Sequence, residues 1–285
     1  MRQGLSGIKL TMSWQGLAMN KKIYIAKLSG GKDSTAMVDL LLRNNYPLDY
    51  ILFCDTLAEF GAMYEYLDKL DAYFKKAYGK GITRTKPKKS ISEAIFSRVS
   101  KGEHKGEIKG AFLPQMGYCD WRLYSKLHTE DDFIKNLSVS KSDVITYLGI
   151  TIDEKHRADL ENENLVYPLI TDFKMSERDC QNYLKERELE NPLYRHFTRT
   201  GCAFCPAQSM RAKFNLWKYY PSEWQKIKEL ESEILAQEAK GEKIYNKYWF
   251  NKWSVDELET RFKAHDDGCG SLFDDEPLKD CFCKF

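Results

Sequence analysis

Two hydrophobic periods alternate along the first half of the chain. Residues 22–28 (KIYIAKL) form a short apolar run bounded by Ser-Gly-Gly, the pattern of a buried strand. Residues 33–45 then switch to a helical period that sets Ala36, Met37, Leu40 and Leu41 on one stripe, with Asn-Asn and Pro47 ending it. The alternation repeats. Residues 50–56 (YILFCDT) read as a second strand and 61–78 as an amphipathic helix stopped by Gly79. A third strand is expected at 82–86 and a short helix near 91–99. The glycine-rich, charged stretch 102–117 reads as a mobile loop, and 144–150 (VITYLGI) as a later strand.

Strand–helix–strand units of this kind predict an α/β fold: an open, mainly parallel, twisted sheet with helices on both faces. After Pro168 the character changes. A helix is expected over 176–188 with Ser176 as its N-cap, then helical sequence from 209 to about 240 broken at Pro221. The organisation expected is a leader at 1–20, poorly ordered or a docking arm, then an α/β domain at 21–200. A Cys-bearing helical region with its tail follows at 201–285.

Composition narrows the class. The 285 residues are 42% hydrophobic and 30% charged, which suits a globular chain rather than a disordered one. The net charge of +2 gives no overall field for nucleic acid. The longest apolar run, 50–54, is far below the roughly 20 residues needed to cross a bilayer. With no secretory signal visible, the expectation is a cytoplasmic protein, and its eight cysteines read as metal, cluster or redox residues rather than disulfides. Trp217, Tyr219, Tyr220, Trp224, Tyr245, Tyr248, Trp249 and Trp253, interleaved with lysines, could stack on single-stranded nucleic acid. Acidic residues are equally dense there, so a helical core with a solvated lysine face is the better reading.

The sharpest chemical signal is Ser29-Gly30-Gly31-Lys32-Asp33-Ser34, leaving a strand and opening a helix. Two glycines let backbone N–H groups approach an anion closely, and the helix N-terminus adds partial positive charge. Lys32 brings a full charge, Ser29 and Ser34 bring hydroxyls, and Asp33 makes sense beside an anion if it helps hold Mg²⁺. The spacing is not that of a Walker A loop. At the next strand end, Asp55 and Thr56 stand where open parallel sheets bind ligands, although a plain capped turn explains them as well.

This loop resembles the PP-loop of ATP pyrophosphatases, the adenine nucleotide α-hydrolase group. Further motifs follow in order: Cys54-Asp55-Thr56, Cys119-Asp120-Trp121-Arg122, the stretch 149–157 (GITIDEKHR), Tyr167-Pro168-Leu169, Asn191-Pro192-Leu193-Tyr194 and the stretch 199–206 (RTGCAFCP). The series is similar to the phosphoadenosine phosphosulfate (PAPS) reductase family within the PP-loop superfamily. The resemblance implies an adenine nucleotide-like α-hydrolase fold and a site of Ser29, Gly30, Gly31, Lys32, Asp33, Ser34, Asp55, Thr56 and Arg157 for ATP, or for PAPS or its relative APS. Where the family has a basic residue, this chain has Thr151, while Arg157 remains with Glu154 available to orient it.

The resemblance also implies a [4Fe–4S] cluster on Cys119, Cys202 and Cys205; by spacing, Zn²⁺ serves equally well, and so do two structural thiols. A fourth ligand would come from Cys180, Cys269, Cys281, Cys283 or outside the protein. Reductases of the family carry a C-terminal Cys-Gly nucleophile, which Cys269 resembles, but Asp266 and Asp267 beside it disfavour a thiolate. Three readings stay open. The favoured one is ATP pyrophosphatase chemistry with Lys32 and Asp33 as catalytic residues, linked to an unknown sulfur donor or acceptor. The others are PAPS or APS reduction through Cys269, and nucleotide or nucleic-acid binding without turnover.

Overall fold

The structure, a computed structural model, describes residues 22–112, 114–115 and 118–268, with side chains left aside at 114, 115 and 118. The first half is a run of βα units: β1 (Ile23–Lys27), α1 (Lys32–Arg43), β2 (Tyr50–Cys54), α2 (Gly61–Tyr78), β3 (Ile82–Thr85) and α3 (Ile91–Ile95). Each of these helices has a legible boundary. Asn44 C-caps α1, and Gly79, in the left-handed region at φ 69°, C-caps α2. Ser90 and Glu93 form a capping box at the start of α3.

Short strands β4 (Ile108–Gly110), β5 (Pro114–Gln115) and β6 (Tyr118–Cys119) follow. The next helix opens as α4 (Asp120–Arg122), widens into a π-helical segment over Leu123–His128 and continues as α5 (Thr129–Asn136). Then come β7 (Val144–Tyr147), a 3₁₀ segment at Ile152–Arg157, β8 (Leu165–Val166), α6 (Pro168–Thr171) and α7 (Glu177–Glu186). The last elements are α8 (Met210–Tyr219), α9 (Pro221–Ala239), β9 (Ile244–Asn246) and α10 (Val255–Asp266).

Five strands form one parallel sheet in the order β3-β2-β1-β7-β8. Successive residues of each strand face opposite layers. Ala26, Ile51 and Phe53 pack in the main core with Met37 and Leu41 of α1 and Leu67 and Leu70 of α2. Ile25, Leu52 and Val144 face the other way and are covered by Ile134 of α5. The chain builds outward from β1 to β3, then returns to β7 on the other side of β1. The β1/β7 boundary is therefore a topological switch point, and the crevice beyond its carboxyl ends is where open α/β sheets bind ligands.

The stretch expected as a loop at 102–117 differs in its described part. β4 pairs in parallel with β9, which satisfies backbone groups through a partner far along the sequence that local pattern does not reveal. In the last third, Pro221 opens α9 immediately after α8, as its fixed φ favours. Trp224, Ile227, Trp249, Leu258 and Phe262 are buried there, so these aromatics belong to a helical core. Tyr219 and Trp253 are exposed. Among the described residues no helix is long and apolar enough to cross a membrane.

Candidate functional site at the carboxyl edge of the sheet

Residues 28–34 carry the chain from β1 into α1 across the switch point. The turn is held by its own hydroxyls: the Ser29 N–H donates to Ser34 Oγ (3.1 Å), the two serine oxygens lie 2.9 Å apart, and Ser34 Oγ donates to the Gly31 carbonyl (3.2 Å). Gly30 sits at φ +76°, the left-handed region that favours glycine, and a Cβ there would also have to displace the flexible end of Met63, whose Sδ lies 2.4 Å away. Gly149, at the exit of β7, is required by space instead. A Cβ there would lie 2.8 Å from Ser34 Cα and 2.9 Å from Ser34 N, so its bare backbone lets β7 seat against the first turn of α1.

The segment around 191–200 closes over this turn. Asn191, buried, donates its amide to the Gly30 carbonyl (2.8 Å). The Tyr194 hydroxyl accepts the Lys32 N–H (2.9 Å), and its ring lies 5.6 Å from the Lys32 ammonium. Burial raises the Tyr194 hydroxyl above its ordinary pKa against the opposing hydrogen bonds from the Lys32 N–H and Thr200. A Cβ on Gly31 would touch Thr200 Oγ1 at 3.1 Å, which places that threonine directly over the loop. The α1 N-terminus thus presents its first N–H to a tyrosine oxygen, in the position that suits an anionic oxygen.

Charge in the crevice is balanced and closely coupled. The Lys32 ammonium donates to Glu177 Oε2 (2.8 Å) at the start of α7. Burial alone would lower the Lys32 pKa, but the Glu177 hydrogen bond and the nearby Asp33 charge outweigh it and leave it raised. Asp33 is pushed up to about 7, first by burial, with Glu177 and Glu154 adding to the rise and Lys32 and Arg199 opposing it. Its Oδ1 is buried without a hydrogen-bond partner. Buried Glu154 pairs with Arg157 in a very short contact, and the Arg199 guanidinium lies 3.6 Å from its other oxygen. Thr151 is fully buried with an unpartnered hydroxyl.

Ser29, Gly30, Gly31, Lys32, Asp33 and Ser34 therefore share one turn, and Arg157 joins their surroundings through Glu154. Asp55 and Thr56 are turned to local work instead. Asp55 Oδ1 accepts from the Leu57 N–H (2.7 Å) and the Tyr64 hydroxyl (2.8 Å), while the Thr56 hydroxyl donates to Glu59 Oε1 (2.8 Å). Spacing did not single out Glu177, Tyr194, Asn191, Thr200 or Arg199 as site residues. The last four lie inside the Asn-Pro-Leu-Tyr and Arg-Thr-Gly-Cys motifs, a visible signal. Glu177 lies 145 positions from Lys32 with no motif around it.

The cysteine motifs converge on the loop after β2. Trp121 Nε1–H donates to the Thr56 carbonyl (2.7 Å) and the Ala203 N–H to the Ala58 carbonyl (2.7 Å). Cys119 and Cys205 are buried and Cys202 is half-buried. Burial pushes the Cys119 thiol up, against backbone N–H groups of Arg122 and Trp121 that favour the thiolate. Among the described residues no group of three or more His, Cys, Asp or Glu side chains could hold a metal ion. The described thiols of Cys119, Cys202 and Cys205 thus do not by themselves fit a cluster or zinc centre. Cys269, Cys281 and Cys283 lie outside the described residues. Mg²⁺ makes a smaller demand, because it takes one or two carboxylates and leaves the rest to phosphate and water; the unpartnered, buried Asp33 Oδ1 fits that role.

The family model for the phosphoadenosine phosphosulfate reductase domain matches residues 23–108, the span from β1 to the start of β4. The resemblance to that family therefore holds where the loop and the first three strands lie. No curated protein matches the chain.

Proposed function

We propose, for a chain whose residues 23–108 match a phosphoadenosine phosphosulfate reductase domain, that the switch-point crevice binds an adenine nucleotide through its phosphates and cleaves ATP between the α- and β-phosphates. One observation carries the reading: the Ser29–Ser34 turn, with Lys32, opens α1 at the carboxyl end of β1 beside β7, the place in such a sheet where ligands bind. A phosphate arriving there displaces the Tyr194 hydroxyl from the Lys32 N–H and draws the Lys32 ammonium from Glu177. Both exchanges replace a neutral or local partner with a multiply charged one.

In the reaction an acceptor oxygen attacks the α-phosphorus, a new P–O bond forms, and the α–β bridging bond breaks. The bonding electrons leave on pyrophosphate. Lys32 and the α1 N-terminus stabilise the charge that builds on the departing group. Asp33 would hold Mg²⁺ when the ion is bound, and the ion would supply charge neutralisation on the phosphates. The product is an adenylylated acceptor, and the match to a phosphoadenosine phosphosulfate reductase domain supports looking for that acceptor in sulfur chemistry. No step is routed through the cysteines.

A second reading rests on the matched family itself: reduction of a sulfonucleotide, with Cys269 as nucleophile. One incubation separates the two. With ATP, Mg²⁺ and candidate acceptors, pyrophosphate should accumulate together with adenylylated acceptor, or with AMP where water or a second nucleophile then displaces it. Absence of pyrophosphate, with sulfite released from PAPS and a thiol donor, would establish the reductase instead.

A further inference from the structure

Among the described residues, Lys32, Arg157 and Arg199 bring positive charge to the crevice, and they are not in the same state. Lys32 is committed to Glu177 at 2.8 Å, and its side chain is only 12% exposed. Arg157 is committed to Glu154, and its side chain is 13% exposed. Arg199 is different. Among the described residues its guanidinium makes one ion pair, the 3.6 Å approach of Nη2 to Glu154 Oε1, too long for a hydrogen bond, and its side chain is 39% exposed. A guanidinium offers five N–H donors in a fixed plane, and among the described residues none of those of Arg199 is given to a hydrogen bond.

Its backbone is nevertheless fixed over the phosphate turn. Phe197, two residues earlier, packs against Phe60 (5.0 Å between ring centroids) and Tyr220 (5.4 Å). Thr200, the next residue, stands against Gly31 and bonds the Tyr194 hydroxyl. Arg199 is thus anchored on both sides, held loosely by a carboxylate beneath, and close enough to Asp33 for the two charges to interact. A residue with those properties costs little to recruit: its side chain has one long ion pair to give up and a fixed origin from which to reach.

We infer that Arg199 is a specificity-determining residue of this site, a second anion contact that receives a tetrahedral oxyanion of the bound nucleotide opposite the amide turn at α1. The ligand class is an adenine nucleotide bearing at least one phosphoryl or sulfuryl group beyond the ribose. A phosphate in ATP and a sulfate in PAPS present the same three-oxygen face to a guanidinium, so either source suits the contact. The inference rests on the nucleotide reading above and adds the residue from the C-terminal half that discriminates charged nucleotide from nucleoside.

The test is isothermal titration of the full chain with ATP, with PAPS and with adenosine, on wild type, Arg199→Ala, Arg199→Lys and Lys32→Ala. Arg199→Ala should weaken ATP or PAPS, or both, at least 10-fold and leave adenosine within 2-fold, values of the size a charge-assisted contact carries. Arg199→Lys should recover only part, because an ammonium replaces a planar fork. Loss on one anionic ligand alone supports the contact and names its source. If wild type binds ATP or PAPS and Lys32→Ala weakens it, but Arg199→Ala binds like wild type, the inference is overturned while the nucleotide reading stands. An equal loss for adenosine also overturns it. If wild type binds none of the three, the nucleotide reading falls and the inference falls with it.

Discussion

Asp33 shows how one residue carries conflicting demands. It sits next to the lysine that should meet an anion, half-buried, with an orphaned oxygen and two other carboxylates near it. Burial raises its carboxyl to about 7 from an ordinary value of 3.8. Between those values the folded chain keeps a proton that the unfolded chain has released. Stability from this group is therefore full below about pH 4 and falls as pH rises toward 7, by roughly 2–3 kcal/mol once partial exposure is discounted. Urea denaturation in metal-free buffer checks the sign. Asp33→Asn should match wild type near pH 4.5, exceed it at pH 8 and show a flatter profile; identical slopes for both proteins would contradict the assignment. The same residue explains why sequence alone proposed Mg²⁺. An acid beside a phosphate turn needs either a metal or a proton, and composition does not distinguish them.

At the scale of elements, the site depends on how closely α1 approaches β7. Gly149 makes that approach, and the atoms a methyl group would strike belong to the Ser34 backbone, which has nowhere to retreat without moving α1. Gly149→Ala should cost about 1–3 kcal/mol by overpacking and lower Tm by several degrees. Nucleotide affinity should fall with it, because the turn shifts. A thermal melt indistinguishable from wild type would show that the contact is slack.

This is also where the sequence was most readable. Strands and helices from β1 to β3 announce themselves by period and by their stops, and the helix over 61–78 matches α2 at both ends. Pro221 marked the α8–α9 break. The π-helical stretch at Leu123–His128 and the parallel β4–β9 pair did not announce themselves. The first keeps a helical pattern while changing the winding. The second joins segments whose pairing no short window can register.

On the scale of the whole molecule, the chain returns from its C-terminal third to finish a site begun at residue 29. Asn191 reaches Gly30, Tyr194 reaches Lys32, and Ala203 reaches Ala58. The phosphate turn was legible because its chemistry is contiguous, six residues between a strand and a helix. Its closing residues were visible as motifs, but their roles were not, since a hydrogen bond across 162 positions is a property of topology alone. The cysteines make the complementary point: Cys119 and the Cys202–Cys205 turn do meet one loop, yet the described thiols assemble no metal-holding group.

All of this turns on whether the amides and ammonium at the exit of β1 hold phosphate. Titration of wild type and Lys32→Ala with ATP and Mg²⁺ measures it directly. Saturable binding that weakens at least 10-fold in the folded variant is the predicted result. Equal affinity in the two proteins would contradict the account.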